Sequence, residues 1–264
     1  GMAMKNILKI MLMMITIFTI AGSAVYAAEI PVSDQDQLIT SSDWTEISNL
    51  QDEMKKEEPD ATIDYDKALK VYVDCNLIKL QTADTKKLTS ALESANYVWV
   101  IPFKMEKTYG MFTVAKGLPL REEAKSVLTK AEQEEVKNHA GKWMITEIAE
   151  HTVEPYYDIL LEKREALSDC TRVVLVGSQP GMRQPVALGM DDETARIWIS
   201  LGYQYPVMEK IPETQNVESG VYSFDSVAEI SDTYIEDSEV STGVGVQSRS
   251  SMKYVAGIGI VLIG

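Results

Sequence analysis

Two cysteines and two histidines are all that this chain of 264 residues offers as soft metal ligands or imidazole bases. They stand alone at Cys75, Cys170, His139 and His151. No pair has the spacing of a zinc site, and neither HExxH nor HxxEH occurs, so no metal and no cofactor is expected. Basic residues are also scarce, 25 against 40 acidic ones, for a net charge of −15. Nucleic acid is excluded as a partner, because phosphate binding needs clustered Lys and Arg. Nucleotide and acyl-transfer signatures are missing too. The segment "GSQPGMRQP" at 177–185 has its glycines too close for a phosphate loop, lacks a following Lys-Ser/Thr, and does not place Ser178 in a GxSxG elbow. It reads as a hairpin loop. Asp60, Asp64 and Asp66 have calcium-like spacing without the glycine and terminal glutamate of an EF-hand loop.

The two ends carry the uncharged apolar runs that bear on membrane insertion. Near the start, Lys5 and Lys9 precede an apolar stretch from Ile10 to Ile20, and small residues follow up to Ala28. That is the layout of a secretory signal peptide over residues 1–27, with an uncleaved anchor as the alternative. Gly1, ahead of Met2, is read as a vector-derived residue. At the other end, Tyr254 to Gly264 carries no charge. As a helix it would reach about 16 Å, roughly half a bilayer core. We read 253–264 as the start of a truncated transmembrane anchor, against a final buried strand or a GPI-like tail. Between the ends, the chain is expected on the extracellular side of the cell membrane, in a bacterium.

The interior alternates helix and strand patterns. Residues 28–42 read as a loose leader and 43–208 as an α+β extracellular domain, an antiparallel sheet with packed helices. Ser42 or Asp43 is the expected cap of a helix carrying Trp44, Ile47, Leu50 and Met54, with Glu46 three residues after Asp43 as in a capping box. Leu69, Val71, Val73 and Cys75 alternate on one strand face, and "YVWVIPF" and "YGMFTVA" form a hairpin. Pro119 opens a helix with Leu120, Ala124, Val127, Leu128 and Ala131 inward, ended by Gly141. "KWMITEIA" alternates with a slip that predicts a bulge or the end of a strand. A helix from Pro155 and three strands over 171–201 follow. A helix, a strand, a turn and a second strand recur at Leu88–Ala115 and Ile159–Met190, which reads either as two related α+β subunits or as the commonness of hairpins.

From Glu209 to Val240 acidic residues face a single basic one, Lys210. Residues 209–252 are therefore read as an acidic flexible linker, within which Phe224, Val227, Ile230 and Tyr234 keep helical spacing.

Function rests on few residues. Tyr203, Tyr205 and Trp198 are the candidate ligand contacts, because aromatics beside a loop can stack on a sugar or an apolar partner surface. Cys75 and Cys170 either pair in an oxidising exterior or are separate buried thiols. Glu147 and Glu150 are the candidate carboxylates of a hydrolase. Glu147, Glu150 and Glu154 around His151 otherwise read as surface acids. The leading reading is a membrane-tethered extracellular interaction or ligand-binding module, its partner an extracellular protein or glycan, or a membrane protein. The alternatives are a surface hydrolase acting on cell-wall or environmental polymers, and an accessory subunit of a membrane complex. Mass spectrometry of the protein from a secreting host should place the mature N-terminus at or near Ala28; an intact Met2 in the membrane fraction would make the first apolar run an anchor.

Overall fold

The computed structural model describes residues 29–151, 154–177, 179, 182, 184–202, 208–212 and 216–232. Strands β1 (Thr62–Ile63), β2 (Leu69–Tyr72), β3 (Tyr97–Lys104), β4 (Tyr109–Lys116), β5 (Trp143–His151), β6 (Arg172–Val176), β7 (Val186–Met190), β8 (Ala195–Ser200), β9 (Asn216–Glu218) and β10 (Val221–Ser223) join one sheet of 10 strands. Its order is β5-β4-β3-β2-β6-β7-β8-β10-β9, with β1 added to β3. Every pairing is antiparallel except β2 with β6, which is parallel. From that joint the chain builds outward in both directions. The class is α+β, as the sequence predicts.

Alternation along the strands decides which face each side chain reaches. Leu69, Val71, Val98, Val100, Val173 and Leu175 point to one face, where Tyr156 and Leu160 of helix α6 (Tyr156–Glu162) cover them. The opposite face is divided. Towards β5, Trp99, Ile101, Phe103 and Phe112 lie beneath Ile47 of α1 (Trp44–Ser48) and Met54 of α2 (Gln51–Glu57). Towards β9, Val174, Leu188, Trp198 and Tyr222 lie beneath Leu88 and Leu92 of α3 (Thr85–Glu93) and Phe224 and Val227 of α7 (Phe224–Asp232). Strands such as β7 are apolar throughout because both faces are covered.

Local chemistry explains the breaks in the predicted helices. Asp84 caps α3 by accepting from the backbone N–H of Lys87 at 3.0 Å. The helix expected from Pro119 is two, α4 (Glu122–Lys125) and α5 (Lys130–His139), because Thr129 and Glu132 form a capping box that starts a new helix. Val127, expected inward, is 68% exposed. The slip in β5 is a bulge: Thr113 faces Glu147 but Val114 faces Ile145.

Two segments expected to be loose are folded. Within 28–42, Ile30 and Leu38 are buried, Pro31 accepts a hydrogen bond from Val173 N–H, and Asp36 is 3% exposed. Within the expected linker, β9, β10 and α7 extend the sheet and cover its face, so the domain continues to Asp232. Acidic composition does not prevent this, because Phe224, Val227 and Ile230 of α7 sit three apart and share one side while Asp225 and Glu229 are exposed. Among the described residues no helix is long and apolar enough to cross a membrane.

A substitution separates core from linker. Val227 is fully buried, so Val227→Asp should lower unfolding stability by about 3 kcal/mol or more in urea titrations, whereas a spacer residue would change it by no more than about 0.5 kcal/mol.

Candidate binding site

The two covered zones on the divided face meet at a seam whose floor is polar and aromatic. Strand alternation and register bring Lys70 and Tyr72 of β2 beside Trp99 and Tyr97 of β3. Tyr97 packs against both apolar clusters and is only half-buried. Asp36 arrives from the N-terminal segment and Asp43 from the residue before α1.

Both carboxylates are committed. Asp36 accepts from the Tyr72 hydroxyl at 2.7 Å, from Ser33 Oγ at 2.7 Å, and from Arg172 through Nε at 3.0 Å and a terminal nitrogen at 2.9 Å. Burial and the Asp36 charge push the Tyr72 hydroxyl well above its ordinary pKa. Asp43 accepts from the Tyr97 hydroxyl at 2.7 Å and Trp99 Nε1 at 3.0 Å. It makes no side-chain cap to α1; the sheet's aromatic donors hold the carboxylate that the expected capping box would use.

Lys70 is the exception. Its ammonium lies 4.2 Å from the centre of the Tyr97 ring, 5.3 Å from Trp99 and 5.6 Å from Tyr72. Burial lowers its pKa, partly offset by Asp36 and Asp43. Among the described residues no hydrogen bond or ion pair engages its three N–H groups. A half-buried cation held over aromatic faces, with no protein acceptor among the described residues, can donate to an acceptor on a ligand. Lys116, exposed, repeats the motif 5.6 Å over Trp143, which lies 5.8 Å from Tyr97.

The residues singled out from sequence fall elsewhere. Trp198 is fully buried and stacks on Phe224 at 5.4 Å, so it is a core side chain and no ligand contact. Its position on β8 faces the α3–α7 layer, which sequence alone could not show. Tyr203 and Tyr205 lie outside the described residues. Cys75 and Cys170 are unpaired. Cys170 sits in the cluster under α6, where a Cβ at Gly189 would stand 2.8 Å from its Sγ, while Cys75 packs into the cluster on the other side of the sheet. The strand that should carry Cys75 ends at Tyr72, and Asp74 takes φ 55°, turning the chain away. Burial pushes both thiols up to about 11, which leaves them protonated and unreactive at neutral pH.

Glu147 and Glu150 face opposite sides of β5, pairing with Thr113 and Gly110 three positions apart, so they cannot flank one bond as paired carboxylates. The Glu147 carboxyl lies on the α6 side, where burial pushes it up to about 7, and one of its oxygens has no partner. Thr113 Oγ1 across the ladder is equally unpartnered. On the last strand of the sheet, beside a bulge, an inward carboxylate discourages a further strand from pairing. Among the described residues no three His, Cys, Asp or Glu side chains gather closely enough to hold a metal ion. Strands β6 and β7, which precede and follow the GSQPGMRQP segment, pair antiparallel, and the buried Gln179 between them donates to Cys75 O and accepts from Leu77 N–H.

Lys70 is the functional candidate that sequence reading missed. The available signal was a lysine between apolar residues in "ALKVYV", with aromatics at the facing positions of the next strand. No protein-family model, no curated protein and no solved structure matches this chain.

The Glu147 carboxyl gives a pH test. Its ordinary pKa is 4.5 and its folded value is about 7, so between these pH values the folded protein holds a proton that the unfolded chain has lost. The stability this confers is complete below pH 4.5 and is lost as pH rises through 7. Glu147→Gln should match the parent at pH 4 and exceed it at pH 8 by on the order of 2 kcal/mol in urea titrations.

Proposed function

We propose that the chain is an exported, membrane-tethered module that binds an extracellular ligand, a protein or a glycan, at the Lys70 seam. The single observation that supports this reading is the Lys70 ammonium: half-buried, framed by Tyr72, Tyr97 and Trp99, and without an acceptor among the described residues. A purely structural lysine in this position would be expected to pair with Asp36 or Asp43, and both carboxylates already serve other donors. Export and tethering rest on the apolar runs at either end of the sequence. We further read the two meanders that leave the β2–β6 joint as related halves of one architecture, a reading supported by their mirrored order in the sheet.

The hydrolase reading draws its remaining support from Glu147 alone, whose raised pKa suits a general acid. Its side chain points beneath α6, away from the seam.

Thermal-shift screening of the full chain against peptides and glycans is the direct test. A ligand at about one hundred times its Kd should raise Tm by about 5–10 °C. Tyr97→Ala and Lys70→Gln, each checked for an unchanged circular dichroism spectrum, should abolish that rise. A ligand bound equally well by both variants would remove the seam as the contact surface. Turnover of a polymer substrate lost in Glu147→Gln would replace the binding reading with the enzymatic one.

A further inference from the structure

We infer that the Lys70 seam takes a monoanionic carboxylate, the ligand's acid group docking on the Lys70 ammonium over the Tyr97 ring. The inference rests on the binding reading above and names the chemical class of the ligand.

Four observations lead to it. The first is the donor inventory. The Tyr72 and Tyr97 hydroxyls, the Trp99 indole N–H and the Arg172 guanidinium all donate to Asp36 or Asp43. Over these three rings Lys70 is left without a protein acceptor among the described residues, and it offers donors only, so its partner must be an acceptor; the unpartnered Trp143 indole N–H beside Tyr97 is buried. The second is burial. The ammonium is half-buried and its pKa is lowered first by desolvation. A cation partly removed from water gains more from an anionic acceptor than from a neutral one, because the lower local dielectric strengthens the attraction.

The third observation sets the charge of that anion. Arg172 and Asp36 close a pair at 2.9 Å, and Asp43 faces Lys70 as the remaining carboxylate. The four charges sum to zero before a ligand arrives. A dianion such as phosphate would bring two negative charges close to Asp36 and Asp43, whereas a carboxylate brings one. The fourth is shape. The ammonium stands over the face of Tyr97, with Trp99 edge-on to that ring at 6.1 Å and Tyr72 edge-on at 6.3 Å. The ammonium is thus bordered by aromatic surface, against which a planar two-oxygen group can lie flat as a tetrahedral one cannot.

The test uses the full chain with acetate, glucuronate, phosphate and glucose as the compounds added, each ionic one matched by sodium chloride of equal ionic strength so that general screening cancels. Acetate and glucuronate should each raise Tm above the chloride control, by about 3 °C or more at ten times the Kd, with half-saturation roughly millimolar for a single charge-assisted contact. Lys70→Met, which retains an apolar stem on the rings, should abolish that rise. Lys70→Arg should restore part of it, which a merely structural role would not predict. Should Lys70→Met fail to fold, the carbon resonances beside the Lys70 amine in the parent protein give the same answer: they should move on addition of acetate and stay fixed with glucose. Phosphate protecting as strongly as acetate overturns the carboxylate assignment. So does a carboxylate effect undiminished in Lys70→Met. Glucose protection lost in Lys70→Met would overturn the carboxylate class while leaving the seam as the binding surface, so the two failures are distinguishable.

Discussion

The Asp36 carboxylate clamps the one parallel joint of the sheet. The sheet consists of two antiparallel meanders whose strands are hydrogen-bonded to each other through the parallel β2–β6 ladder, whose register comprises Val71 with Leu175 and Tyr72 with Val176. A ladder that short carries little by itself. Asp36 spans it, accepting from Tyr72 on one strand and Arg172 on the other, and the bidentate geometry of the arginine fixes the distance between them. Removing one member of such a buried network typically costs about 3–5 kcal/mol, because the remaining charge is left unpaired.

That clamp also shapes the seam. By drawing the Tyr72 hydroxyl and the Arg172 guanidinium towards itself, Asp36 removes them as partners for anything else, and Asp43 does the same to Tyr97 and Trp99. Lys70 lies between these two closed sets over the rings they orient. The free ammonium therefore follows from the same contacts that stabilise the fold. The N-terminal segment supplies both carboxylates, so it belongs to the domain and to the site at once.

Glu147 shows the contrasting use of a buried carboxyl. It has no counter-charge to hold it ionised, and its burial raises its pKa into the neutral range. Its position on the last strand, next to the Thr146 bulge and across from Thr113, fits protection of the sheet edge. Asp36 and Glu147 are both carboxyls beneath packed elements, and what separates them is the number of donors that reach each one.

Much of this was legible in the sequence. Period-two alternation identified β2, two β-forming runs a short gap apart identified the β3–β4 hairpin, and the slip at Thr146 pointed to a bulge or a strand end, because these signals depend on neighbours in the chain. What sequence could not give was anything that depended on a distant partner. Asp43 looked like a helix cap until the sheet placed Tyr97 and Trp99 above it. The acidic stretch after Glu209 looked like a spacer until β8 offered β10 a ladder and Trp198 offered Phe224 a ring to stack on. Cys75 and Cys170 looked pairable until a sheet stood between them. Local pattern fixes the type of each element, since backbone geometry sets its period. Only the tertiary structure decides which polar groups meet, because a hydrogen bond between residues 136 positions apart, as from Arg172 to Asp36, leaves no trace in the residues on either side.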